Sequence, residues 1–136
     1  TLGERMASME VTLASCLPLG KGVMPLPALR KCGVKLMTGT DSVIDHWSPF
    51  GSGSMLEKAN LWAQLYEGGR EYALNRSLAI ATGDILPLDE QGTRIWPKVG
   101  DAADFILLNA SCSAEAVARQ PAISASYFRG QRVFGA

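Results

Sequence analysis

The chain has 136 residues, 47% of them hydrophobic and 19% charged, which excludes a disordered segment and is enough for one packed domain. Its 13 basic and 13 acidic side chains cancel to a net charge of +0 with no basic patch, which excludes a nucleic-acid surface. No apolar run approaches the roughly 20 residues that span a bilayer, so no membrane partner is expected.

The opening stretch, TLGERMASMEV, is interrupted by charge and lacks the apolar centre of a secretory signal. It does not begin with Met, and the expectation is a chain processed, trimmed or cut from something longer. Glu10 to Cys16, EVTLASC, is short, apolar and partly β-branched, the pattern of a buried strand. Residues 17–27, LPLGKGVMPLP, form a loop imposed by Pro and Gly. Pro27 to Lys31 starts a short helix, with Pro in the first turn, where a missing N–H costs nothing. Gly33 ends it, and Val34 to Thr38 forms a second strand.

Strand, helix, strand at this spacing is a βαβ unit, which pairs its strands in parallel and gathers ligands at their carboxyl ends. Asp41 follows such an end, at the head of a long loop, DSVIDHWSPFG. An acid there can serve a metal or a substrate, and it can equally cap a helix or a turn. Position alone leaves both readings open.

Met55 to Tyr66 reads as a helix with Met55, Ala59, Trp62 and Tyr66 on one apolar stripe and Glu57, Lys58 and Gln64 off it. Gly68-Gly69 stops it, and a second helix runs from about Arg70 to Thr82 before Gly83. The texture then changes. Phe105 to Leu108 reads as a compact buried strand, residues 113–120 as a short helix, and the last 14 residues as a hairpin turning at Arg129-Gly130-Gln131. Asp101 and Asp104 read as turn residues before the strand. Two parallel strands cannot be covered on both faces by themselves, so the α/β first half looks like the last sector of a larger barrel.

Cys16, Cys32 and Cys112 are odd in number and widely spaced, which argues against a disulfide framework and for a reducing, cytoplasmic setting. They read as small buried apolar side chains. With one histidine, His46, and no Cys-x-x-Cys, the chain cannot build a self-contained zinc site.

Two stretches carry a resemblance. One is Gly39-Thr40-Asp41 followed by Trp47-Ser48-Pro49-Phe50-Gly51. The other is Val99-Gly100-Asp101-Ala102-Ala103-Asp104 leading into an apolar strand and closing with Arg129-Gly130 and Val133. In this order the chain, most clearly from Val11 to Phe134, resembles the C-terminal part of an amidohydrolase-superfamily enzyme. The branch it resembles is the cytosine deaminase-like group, which includes triazine-type hydrolases.

The resemblance implies a (β/α)8 barrel plus a small β-sandwich built from both chain ends. Residues 1–84 would be the last barrel sector, with Val11 to Ser15 as strand seven and Val34 to Thr38 as strand eight; residues 85–136 would be the C-terminal half of the sandwich. Asp41 matches the aspartate after strand eight, which in such enzymes touches the metal-bound water and shuttles protons. It is therefore the candidate catalytic residue and metal contact. Ser42 and Trp47 match loop positions near the substrate, Trp47 as a flat apolar wall. Ser42 stands where the best-known bacterial cytosine deaminases have an acid, and His46 stands where a proline is common.

The intact enzyme implied would use one divalent ion, zinc or iron, to deaminate or hydrolyse a C–N bond of a cytosine-like or triazine-like heterocycle. The family's His-x-His, its later metal histidines and its acid–base glutamate have no counterpart here. This chain alone is therefore expected to hold no metal and to be inactive without the missing N-terminal part of the barrel. The alternative is a non-catalytic truncated paralogue that self-associates through exposed sheet edges; a homo-oligomer is expected.

Overall fold

The structure, a computed structural model, describes residues 1–18, 20 and 22–135. Leu19 and Lys21, inside the loop expected over 17–27, lie outside the described residues, as does Ala136. The first element is a helix to which no sequence argument above pointed, α1 (Leu2–Ser8). It is set by a capping box: the Thr1 hydroxyl accepts from the Glu4 amide at 3.3 Å, and the Glu4 carboxylate reaches back to the Thr1 amine. Glu10, at φ 55°, then turns the chain into β1 (Thr12–Ser15).

After α2 (Leu26–Lys31) comes β2 (Lys35–Thr38), which pairs parallel to β1 with Thr12 opposite Lys35 and Ser15 opposite Thr38. Both strands are shorter than expected. The alternation within them shows which face is covered. Leu13 and Leu36 pack toward the helices, and the Thr38 hydroxyl donates to Ile80 O at 2.9 Å. Thr12, Ala14, Lys35 and Met37 lie on the other face and are exposed. A parallel pair covered on one face only is the arrangement that calls for further structure.

α3 (Met55–Trp62) begins at Ser54, whose hydroxyl accepts from the Glu57 amide at 3.4 Å. The helix expected to run to Tyr66 widens after Trp62 into a π turn, Ala63–Glu67, closed where the Gly68 amide donates to Ala63 O at 2.7 Å. The second expected helix is broken in two, α4 (Glu71–Ser77) and α5 (Ala79–Thr82). Buried Ser77 turns its hydroxyl back on Ala73 O at 2.8 Å, a bond that competes with the helix ladder and bends it.

β3 (Phe105–Leu108), α6 (Ser113–Arg119), β4 (Ile123–Phe128) and β5 (Gln131–Phe134) complete the chain, with the strands antiparallel in the order β3-β4-β5. The hairpin turn is Arg129-Gly130, both with positive φ (51° and 74°), as a two-residue turn of this hand requires; Gln131 already belongs to β5. The strand Phe105–Leu108 is not the buried strand its four apolar residues suggest. Ile106 and Leu107 are 44% and 46% exposed, because they point to opposite faces and neither face is fully covered.

Two apolar clusters meet on α3. Leu56, Ala59 and Ala63 pack with Ala116 and Val117 of α6, whereas Trp62 packs with Leu17, Leu26 and Ile80 over the strand pair. Burying the leucine, isoleucine and valine side chains among them stabilises by about 1.5–3 kcal/mol each. The buried Asn60 links α3 to the end of α6 by donating to Val117 O at 2.9 Å and more weakly to Ala118 O. Lys58, expected off the apolar stripe, is buried to 8% exposure, with its ammonium donating to Cys16 O at 3.2 Å. Its long stem lies along the apolar layer and its charge finds the carbonyl left free just beyond β1. Of the cysteines expected to be buried, Cys112 is exposed and Cys16 and Cys32 are half-buried. Among the described residues no helix is long and apolar enough to cross a membrane.

Candidate functional site

The Gly39 amide donates to Ser15 O at 3.2 Å, carrying the β1–β2 pairing one residue past β2. Two residues later the chain reverses. The Ser42 amide donates to Thr40 O at 2.8 Å, closing a three-residue turn with Asp41 at its apex and φ 64°. Positive φ is uncommon for residues bearing a Cβ, although Asp tolerates it better than most, and such conformations often aim a side chain at a site. The carboxylate is exposed at the carboxyl end of the strand pair. The helix that follows is capped by Ser54, so Asp41 is not a helix cap.

The loop from Ser42 to Gly51 folds back on itself. The Ile44 amide donates to Phe50 O at 3.4 Å, and the Asp45 amide to Ser48 O at 3.0 Å. One carboxylate oxygen of Asp45 accepts from the Trp47 and Ser48 amides at 2.9 and 3.1 Å. These two backbone bonds hold the Asp45 carboxyl below the usual aspartate range. Asp45 is thus the cap of the loop. The loop is fastened to α3 through Ser52, whose hydroxyl contacts the Glu57 carboxylate and accepts from the Ser54 amide at 3.3 Å.

Asp41 and the half-buried Ser42 form one foot of this loop and Gly51 the other; Trp47 stands at the far end. Trp47 is 88% exposed and Phe50 79%, so the tryptophan is no part of the core and presents its indole to the outside. Exposed His46 shares the tip with it. Among the described residues no three His, Cys, Asp or Glu side chains gather into a metal-holding group. Asp41 can offer a carboxylate oxygen to a cation, but its surroundings here do not make a metal site.

A larger opening lies elsewhere. A cleft of about 950 Å³ runs between α3 and α5 on one side and the β3–β4 pair on the other, lined by Leu56, Ile85, Trp96, Phe105 and Tyr127 among others. Its acids are already engaged: Asp84 pairs with Arg30 at 2.7 Å, Asp101 accepts from the Lys98 amide, and Asp104 from the Arg129 amide. No residue of the Asp41 loop lines it. Its apolar walls and occupied carboxylates suit packing better than chemistry. Gly51, whose place in the loop the motif alone did not explain, is the residue that sequence reasoning missed; the signal was a glycine directly after Pro49-Phe50.

The model of a family described as the amidohydrolase family matches residues 4–134. The uncharacterized protein YahJ of Escherichia coli K12 is 58% identical over 134 residues, covering 98% of this chain and 29% of that protein. Among solved structures, N-isopropylammelide isopropylaminohydrolase from Burkholderia multivorans is 31% identical with a TM-score of 0.70, covering 97% of this chain and 34% of its own. A 5-methylcytosine deaminase from Klebsiella pneumoniae, liganded with 5-fluorocytosine, is 20% identical with a TM-score of 0.71, covering 99% and 36%; this likeness concerns the fold. The chain therefore spans about a third of the length of the relatives it matches.

Proposed function

The chain belongs to the amidohydrolase family, and from that premise we propose that it supplies the carboxyl-terminal sector of a hydrolase acting on a C–N bond of a cytosine-like or triazine-like ring. In this reading β1 and β2 are the seventh and eighth strands of a (β/α)8 barrel. Residues 1–84 form its last sector and residues 85–136 half of a β-sandwich. The exposed face of the strand pair and the apolar cleft beside β3–β4 are then the seams where the N-terminal part of such an enzyme packs. The observation that carries the reading is Asp41: a carboxylate in a strained turn just past the end of one of two parallel strands, where barrels open their active sites.

Members of the amidohydrolase superfamily are generally metal-dependent. The side chains here do not fit a complete metal site, so a divalent ion, zinc or iron, would have to be held chiefly by ligands outside these residues. The part this chain plays is proton traffic and binding. Asp41 takes a proton from the attacking water and returns it to the departing nitrogen, so that the amine or ammonia leaves uncharged. Trp47 lays its indole against one face of the ring, and the Ser42 hydroxyl can donate to or accept from a ring substituent. Having a hydroxyl in place of a charge at Ser42 suits a ring other than cytosine itself.

The test is a full-length enzyme with this sequence as its carboxyl-terminal part, loaded with zinc or iron and offered aminopyrimidines and aminotriazines while ammonia or amine release is followed. Turnover that falls about 10²–10⁴-fold in Asp41→Asn, with ligand binding kept, is the expected result. An Asp41→Asn enzyme as fast as the parent would end the assignment. The second reading, a self-associating non-catalytic chain, is favoured by the same uncovered faces. Sedimentation of the 136-residue chain decides it, since a strictly monomeric, well-folded species leaves that reading without support.

A further inference from the structure

The stretch Trp47-Ser48-Pro49-Phe50-Gly51 ends in a residue to which the reading above assigns no part. We propose that Gly51 is a positioning residue that sets the Asp41–Ser42 turn, an inference that rests on the reading of Asp41 above for its functional meaning. Gly51 has φ +103°, and a Cβ built on it would lie 2.4 Å from Ser42 O and 3.4 Å from the Ser42 carbonyl carbon. Ordinary contact begins at 3.4 Å, so any side chain must drive the two strands of the loop about 1 Å apart. The colliding atom, Ser42 O, is backbone, and no rotamer change can relieve it.

What yields is decided by the fastenings on each side. β2 is held by its pairing to β1 and by the Gly39–Ser15 bond. The inner loop is held by the two amides on Asp45. Between them lies the turn closed by a single bond, Ser42 amide to Thr40 O, with Asp41 at its apex. Displacing the Ser42 carbonyl therefore rotates Asp41. A shift of about 1 Å in a reacting group costs about a hundredfold in rate.

Gly53 supplies the control. It also has positive φ, +72°, in the same loop, but a Cβ there meets only the Val43 methyl groups at 3.7 and 3.9 Å. Gly53→Ala thus carries the same kind of backbone strain without the collision. In the isotopically labelled 136-residue chain, Gly51→Ala is expected to move the amide resonances of Asp41 and Ser42 and the Asp41 carboxylate carbon. The Trp47 and Ser48 amides should stay in place, and Gly53→Ala should leave Asp41 unmoved. Equal effects of the two variants on Asp41, or none, overturn the proposal.

A measurement on the unaltered chain keeps the question decidable if Gly51→Ala does not fold. The α-protons of Gly51 and Val43 should show a nuclear Overhauser contact, and its absence also overturns the proposal. In the full-length enzyme Gly51→Ala should lose about a hundredfold in kcat with a smaller rise in KM from the displaced Ser42, and Gly53→Ala should match the parent. If Gly51→Ala moves Asp41 while Asp41→Asn keeps full activity, the positioning stands and the catalytic assignment falls. If Asp41→Asn is inactive and Gly51→Ala is as fast as the parent, the positioning falls alone.

Discussion

Trp62 is the residue on which the stability of the strand pair should turn. It is 1% exposed and fills the space between β1–β2 and the helices, touching the cluster of Leu17, Leu26 and Ile80. Its ring lies 4.6 Å from that of Tyr66, tilted by 55°, and its indole N–H donates to the Glu67 carboxylate at 3.2 Å. Replacement by alanine removes the largest fully buried side chain, a change that costs about 3–5 kcal/mol. The Tyr66 pairing, worth about 0.5–1.5 kcal/mol, puts the expectation in the upper half of that range.

Trp62→Phe separates the terms. It keeps most of the apolar contact and loses the N–H bond and one ring, and because Glu67 is exposed its carboxylate rehydrates freely. About 1–2 kcal/mol is expected for it. Urea unfolding of the 136-residue chain followed by circular dichroism gives both numbers, provided the slope m is unchanged. Total domain stabilities are about 5–15 kcal/mol, so Trp62→Ala should remove a large share of the stability and shift the urea midpoint sharply down. A Trp62→Ala chain destabilised by less than about 1.5 kcal/mol, or no worse than Trp62→Phe, would show that this cluster does not hold the strands to the helices.

Asn60→Ala removes the donor to Val117 O and Ala118 O at the end of α6 and should cost about 1–3 kcal/mol in the same assay. Asn60→Asp should cost more, because it sets a buried negative charge against those carbonyls and the negative end of the α6 dipole. Asp45 has its pKa lowered by the Trp47 and Ser48 amides. Its contribution to loop order is whole above the ordinary aspartate pKa of about 3.9 and is lost as pH falls below that value through the folded one. The protection of the Trp47 and Ser48 amides, measured against their intrinsic exchange rates, should therefore fall over that acid range, and Asp45→Asn should abolish that loss of protection. Trp47→Ala should change stability by less than about 0.5 kcal/mol, since its side chain is 88% exposed. The same change should weaken ring binding in a full-length enzyme by up to about tenfold, and a large unfolding effect instead would place Trp47 in the structure and not at the ligand.

The sequence by itself determined what depends on near neighbours along the chain. The strand–helix–strand order, the parallel pairing it imposes, the end of α2 at Gly33 and the hairpin at Arg129-Gly130 follow from apolar runs and turn residues a few positions apart. The placement of Asp41 just past a strand end was legible for the same reason. The capping box of Thr1 and Glu4 is equally local, three residues apart.

Tertiary structure alone decided which surfaces are covered. Four apolar residues in a row, Phe105 to Leu108, look the same whether a second layer lies over them or not, and only the fold shows both faces partly open. Lys58 is buried because a carbonyl 42 residues away, at Cys16, receives its ammonium. The break at Leu78 depends on a hydroxyl bond competing with the helix at Ser77. The Asp41 turn was decided in the same way. Its left-handed backbone and the contact of Gly51 with the Ser42 carbonyl arise when the loop closes on itself, and closure is a property of atoms brought together in space, to which a pattern read along the chain is blind.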